Sequence, residues 1–161
     1  MSAARLSGVI AAVATPIDEN AAPDLKRAVN LARYLLDNGC DGLNVLGTTG
    51  EATSFSLDER KAVMDAYKAN GLPLHRLMVG TGAAAVSDAV ALTRHAAELG
   101  FGGALVLPPF YYKGVPDDGL IAYVDTLVNA TEKKPIPNRP CGSYPFDASP
   151  GCSESINGEF Q

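Results

Sequence analysis

A chain of 161 residues, 47% apolar and 19% charged, has the make-up of one soluble globular domain and does not demand a second. Its net charge of -5 argues against a protein that grips a nucleic-acid backbone, because that task needs clustered basic residues. Three cysteines (Cys40, Cys141, Cys152) without C-x-x-C spacing and only two histidines speak against a zinc site, so no metal and no metal cofactor is expected. Cys40 is expected to pack as a small apolar side chain.

The chain opens with a short apolar stretch that flows into a strand and is neither a leader nor a membrane span, so a cytoplasmic location and no membrane partner are expected. Gly8 to Ala14 is a continuous apolar run ended by Thr15-Pro16, the pattern of a first strand buried on both faces. From Asp24 to Asp37 the residues Leu25, Ala28, Val29, Ala32, Leu35 and Leu36 recur at three and four, which predicts a helix stopped by Asn38-Gly39. Gly42 to Leu46 reads as a second buried strand. It breaks into Gly47-Thr48-Thr49-Gly50-Glu51, a polar loop with two glycines, two hydroxyls and a carboxylate. Ser56 and Glu59 then form the spacing of a capping box, and Leu57, Ala62, Val63 and Ala66 continue as a helix to Asn70-Gly71.

Leu74 to Val79 predicts a third strand, with Gly80-Thr81-Gly82 at its end. Ser87 to Leu99 follows as a third helix, Gly103 to Leu107 as a fourth strand ended by Pro108-Pro109, and Asp117 to Asn129 as a fourth helix. Strand and helix thus alternate four times at a period of about 30 residues, the pattern of a parallel sheet with helical crossovers. Glycine or threonine closes three of the strands, on the side where such sheets bind ligands. After Ile136 the composition turns rich in proline and glycine with no apolar period. The domain is therefore expected to occupy residues 1–136, with 137–161 an irregular or disordered tail.

Four of these strand ends carry a resemblance. Ala14-Thr15-Pro16, Asn44-Val45-Leu46-Gly47-Thr48-Thr49-Gly50-Glu51, Val79-Gly80-Thr81-Gly82 and Pro108-Pro109-Phe110-Tyr111-Tyr112 occur in the order found in the dihydrodipicolinate synthase / N-acetylneuraminate lyase family. These are pyruvate-dependent class I aldolases built on a TIM barrel. The resemblance covers about residues 5 to 136, the first half of a family chain. It implies an α/β fold of the (β/α)8 TIM-barrel family, here a truncated (β/α)4 half-barrel with a non-family tail.

Carried over by residue, Thr48 and Thr49 resemble the pair whose amides and hydroxyls hold the carboxylate of pyruvate or a similar 2-keto acid, flanked by Gly47 and Gly50. Thr49 would also relay a proton. Tyr111 resembles the tyrosine that neighbouring subunits exchange across an interface to complete that relay, with Tyr112 the competing assignment. The resemblance implies a homo-oligomer or self-association through this tyrosine region. The family's second tyrosine, in a Tyr-Asn-x-Pro setting, and its imine-forming lysine find no counterpart; Tyr144, Lys133 and Lys134 do not fit. Because the family chemistry is an imine between that lysine and the keto acid, the chain is expected to bind and not to turn over.

Each of these residues also has a plainer reading. Thr48 and Thr49 can simply end a strand and cap its loop, Gly47 and Gly50 serve a tight turn and close approach of a ligand, and Glu51 is expected to bond loop amides or neighbouring threonines. Gly80-Thr81-Gly82 lacks the Gly-Lys-Ser/Thr ending of a phosphate loop. Phe110, Tyr111 and Tyr112 also suit an aromatic interface core. His75 and His95 read as a strand-start and a helix-surface residue, and Arg5, Arg27, Arg33, Arg60 and Arg94 as solvated or helix-end charges. Three functions compete: a piece of a pyruvate-dependent lyase, a non-catalytic fragment that pairs with a full-length relative, and an independent open-sheet small-molecule binder.

Overall fold

The computed structural model describes residues 6–130. The elements alternate as the sequence predicts: β1 (Ile10–Ala12), α1 (Leu25–Asp37), β2 (Gly42–Val45), α2 (Leu57–Ala69), β3 (Leu77–Gly80), α3 (Val86–Leu99), β4 (Gly103–Leu105) and α4 (Asp117–Asn129). The four strands form one parallel sheet in the order β1-β2-β3-β4, each joined to its neighbour through a helix. This is a (β/α)4 half-barrel arrangement. The expected tail, its boundary at Ile136, Arg5, Lys133, Lys134, Tyr144, Cys141 and Cys152 lie outside the described residues.

Local chemistry sets the helix ends. Asp24 caps α1 by accepting from the Arg27 N–H at 2.9 Å. Ser56 and Glu59 close the predicted capping box on α2, each side chain accepting from the other's backbone N–H. Asn70 closes α2, and Gly100 ends α3 with a φ of 94° that a residue with a Cβ resists.

The sheet has two unlike faces, and register decides which side chains share each. Leu43 pairs with Leu77, and Val45 with Val79. These four and Val13 are buried with Ala28, Val29, Ala32, Val63, Met64, Tyr67, Leu92 and Ala96 from the helices. The intervening row runs Ala12, Asn44, Met78, Gly103 across all four strands, and none of these residues belongs to that core. In strands, alternate residues face opposite sides, so the helices cover one face and this row lies on the other.

Strand expectations need correction: β2 stops at Val45 and β4 at Leu105, short of the expected Leu46 and Leu107, and β1 and β3 differ more. β1 is not buried on both faces: Ile10 and Ala11 are half-buried, Ala12 is exposed, and Val9 just before it is 62% exposed. Among the described residues it pairs only with β2 and carries helices on one side alone. The third strand begins at Leu77, because Leu74–Arg76 winds into a turn of 3-10 helix that tucks Leu74 into the core. Cys40 packs against the core as expected.

Candidate functional site

The C-terminal ends of β1 to β4 carry the loops that the sequence singles out. At the end of β2, Leu46 is buried with φ at 51°, and Glu51 has φ at 50°. A left-handed conformation costs a residue with a side chain about 1–2 kcal/mol, so the surroundings hold both ends of the loop in unfavourable geometry. Between them the chain closes on itself. The Glu51 N–H donates to the Thr48 carbonyl at 3.1 Å, and the Ala52 N–H to the Gly47 carbonyl at 3.3 Å. From β1's end, the Thr15 hydroxyl donates to the Gly50 carbonyl at 2.8 Å. Gly50 is required for this closure: a Cβ there would lie 2.9 Å from the Val13 carbonyl oxygen and 3.0 Å from the Leu46 nitrogen. The close approach at Gly50 is thus to the protein's own backbone.

What the loop leaves unused matters most. Among the described residues, the backbone N–H groups of Gly47, Thr48, Thr49 and Gly50 donate to no acceptor, and the Thr48 and Thr49 hydroxyls have no partner. Both threonines are exposed while Gly47 and Gly50 are buried. Successive free amides at a turn form an anion-binding concavity, and two adjoining hydroxyls extend it. On the open sheet face, Asn44 Oδ1 is buried with no partner, and the Gly47 Cα is so near that a Cβ would lie 3.0 Å from Asn44 Nδ2. In the sequence Asn44 stands out only as part of the motif. Its place in a strand of Gly, Leu and Val was the available signal.

Glu51 does not bond the loop amides or the threonines. Glu51 is exposed, and its carboxylate has no partner among the described residues.

At the end of β3, Thr81 is fully buried. Thr93 Oγ1 lies 2.7 Å from the Ala89 carbonyl oxygen and 2.9 Å from Thr81 Oγ1. A carbonyl can only accept, so the single Thr93 proton goes there and the Thr81 hydroxyl donates to Thr93. A threonine committed in this way offers nothing to a phosphate, and Gly80 and Gly82 are explained by packing. A Cβ on Gly80 would lie 1.8 Å from the Leu46 carbonyl oxygen, and one on Gly82 would lie 2.8 Å from Leu107 Cβ.

Arg60 is the residue the sequence misplaced. It is not a solvated charge: it is 4% exposed, donating from Nη2 to the Gly80 carbonyl at 2.8 Å and from Nη1 to the Gly82 carbonyl at 3.0 Å. Burial lowers its pKa, with the charge of Asp88 working the other way. Its Nε is buried without a partner among the described residues. The signal was present in the spacing, since position 60 falls on the line Leu57, Val63, Met64, Tyr67 that α2 turns toward the core. Arg27, Arg33 and Arg94 are exposed, as read. His75 is exposed, and His95 Nε2 lies 2.8 Å from Asp65 Oδ1.

After β4, Tyr111 and Tyr112 are 77% and 69% exposed, their rings edge to face with centroids 5.3 Å apart. Neither hydroxyl hydrogen-bonds to Thr48 or Thr49. Among the described residues no group of three His, Cys, Asp or Glu could hold a metal ion, and no helix is long and apolar enough to cross a membrane.

The chain resembles known proteins over most of its described length. A 4-hydroxy-tetrahydrodipicolinate synthase of Synechococcus sp. strain WH7803 is 39% identical over 145 residues, 90% of this chain and 46% of that protein. The chain therefore spans about half the length of the curated relatives it matches. Among solved structures, the N-acetylneuraminate lyase of Proteus mirabilis superposes with a TM-score of 0.73 at 32% identity, over 81% of this chain and 44% of that one. A prophage protein of the dihydrodipicolinic acid synthase family from E. coli K12, solved in complex with pyruvate, superposes with a TM-score of 0.70 at 29% identity, over 80% and 43%. The sequence pattern of the dihydrodipicolinate synthetase family matches residues 5–140, and the chain belongs to that family.

Proposed function

We propose that the loop from Gly47 to Glu51 binds the carboxylate of a 2-keto acid such as pyruvate, and that this chain is the keto-acid-binding half of a carbon–carbon lyase or aldolase. The observation that carries the reading is the run of four unused N–H groups beside the free Thr48 and Thr49 hydroxyls. The pyruvate bound to the E. coli relative supports the choice of ligand. Thr48 and Thr49 hold the carboxylate, Gly47 and Gly50 contribute their free N–H groups, and Thr49 passes a proton to Tyr111 of a neighbouring subunit. In the complete reaction a lysine forms an imine with the ketone, withdrawing electrons from the bond made or broken. Of the described lysines, Lys26 lies on α1, Lys61 and Lys68 on α2, and Lys113 in the exposed loop after β4. None is on a strand, so residues 6–130 supply the cradle and not the imine.

Pyruvate titration followed by amide NMR shifts tests this reading. The Gly47 to Gly50 resonances are expected to move, and Thr48→Val with Thr49→Val to weaken binding about tenfold through lost hydrogen bonds to a charged group. Borohydride reduction with pyruvate should leave the mass unchanged. Shifts absent from the loop would remove the keto-acid assignment, and a reduced adduct would remove the division of labour.

The exposed Phe110, Tyr111 and Tyr112 favour a second reading, a non-catalytic fragment that pairs with a full-length relative through this aromatic surface. Mixing the chain with such a relative and sedimenting the mixture separates the two: a complex abolished by Tyr111→Ala with Tyr112→Ala supports pairing.

A further inference from the structure

We infer that Arg60 is the positioning residue of the Thr48–Thr49 loop: it fixes the carbonyls at the end of β3 on which that loop rests, and its buried charge favours an anion there. The mechanical part stands on geometry alone, and the electrostatic part rests on the keto-acid reading.

The chain of contacts is short. Gly80 approaches β2's end so closely that a Cβ would lie 1.8 Å from the Leu46 carbonyl oxygen and 3.1 Å from Gly47 Cα. The peptide unit that supports the start of the loop is therefore that of Gly80, and its carbonyl takes the 2.8 Å bond from Arg60 Nη2. The Gly82 carbonyl takes the 3.0 Å bond from Nη1, while Gly82 itself is pressed against Leu107 beyond β4. One planar guanidinium thereby ties three strand ends together. Leu46 stays left-handed because what lies beneath it cannot shift.

Packing alone does not account for an arginine here. Leu57, Val63, Met64 and Tyr67 follow the same line of α2, and a methionine would fill it without desolvating a charge. Both acceptors of Arg60 are neutral carbonyls, and no ion pair to it forms among the described residues. A buried cation with no close ion pair among the described residues, opposed by Asp88 only beyond ion-pair distance, lies one strand from a row of free N–H groups and raises the local potential where a carboxylate would sit.

The experiment compares the full chain with Arg60→Met and Arg60→Lys in two independent measurements. Amide hydrogen exchange reads the positioning. Arg60→Met is expected to speed exchange at Gly47 to Glu51 and at Gly80 to Gly82 about tenfold or more, while α1 keeps its protection, and Arg60→Lys is expected to fall between. Unchanged loop exchange in Arg60→Met, or an equal loss everywhere in Arg60→Lys, overturns the proposal. Should Arg60→Met not fold, the selective pattern in Arg60→Lys decides.

Titration with pyruvate and with its neutral amide reads the charge. The preference for pyruvate is expected to drop about tenfold in Arg60→Met and to recover largely in Arg60→Lys. An unchanged preference removes the electrostatic part. A wild-type chain that binds neither compound removes the keto-acid reading instead, and the exchange result still decides the positioning.

Discussion

Thr81 and Thr93 form a buried hydroxyl pair in which direction matters. Thr93 is both donor, to the Ala89 carbonyl, and acceptor, from Thr81. Thr93→Val strands the Thr81 hydroxyl, fully buried, at a cost of about 1–3 kcal/mol. Thr81→Val leaves Thr93 bonded to Ala89 and should cost about 1 kcal/mol or less, and the double variant should be more stable than Thr93→Val alone. Urea unfolding of the three variants checks the ranking. Equal losses in the two single variants would mean that the proton order is not as drawn. The same scale explains what the residues themselves disclosed. Thr48 and Thr49 stand exposed in the predicted loop, whereas Thr81, no different in type, is consumed by a helix partner that no local pattern announces. Arg60 was hidden for a related reason: residue type says surface, and only its place on the apolar line of α2 says core.

Helices were legible to within about a residue, and strands were not. The ends of α2 and α4 follow from local chemistry: a capping box at Ser56, Asn70-Gly71 after Ala69, and Pro116 before Asp117. Such signals are read by the residues that carry them. A strand ends where its neighbour's pairing ends, and apolar runs such as Gly8 to Ala14 do not encode that. Only Ile10–Ala12 is strand there, because β2 offers partners from Gly42 to Asn44. The α2 cap also sets a pH dependence. The Glu59 carboxylate is held below its ordinary range by the Ser56 hydroxyl first and the Ser56 N–H second. A carboxylate whose pKa is depressed in the fold contributes stability that is fully present above the ordinary glutamate range and is lost as pH falls on through the lowered, folded pKa. Wild type should therefore exceed Glu59→Gln in melting temperature at pH 7, with the gap closing toward pH 3. A gap that does not narrow would show that the capping carboxylate is not what Gln removes.

At the scale of the molecule, one face of the sheet carries the core, and among the described residues no helix covers the other. Val9 is 62% exposed beside β1, and Tyr111 and Tyr112 after β4 are largely exposed. Among the described residues β1 and β4 have unpaired parallel edges, whose backbone donors and acceptors seek partners. The chain is expected to self-associate with rising concentration in sedimentation. Val9→Lys, which places a charge beside the β1 edge, should shift the distribution toward the monomer. A monomer at every concentration would show that these surfaces are satisfied within the chain.

The strand order β1-β2-β3-β4 has a consequence for how the chain is made. Every sheet pairing joins strands that follow one another in the sequence, separated by a single helix, so each loop closed during folding is of similar, modest length. A unit leaving the ribosome meets its docking surface already formed by the unit before it. The fold can therefore grow from β1 toward α4 as it is synthesised, and the Thr48–Thr49 loop can close only once β3 has arrived to bring Gly80 beneath Leu46. The concavity of free N–H groups is thus born one unit later than the strand that bears it.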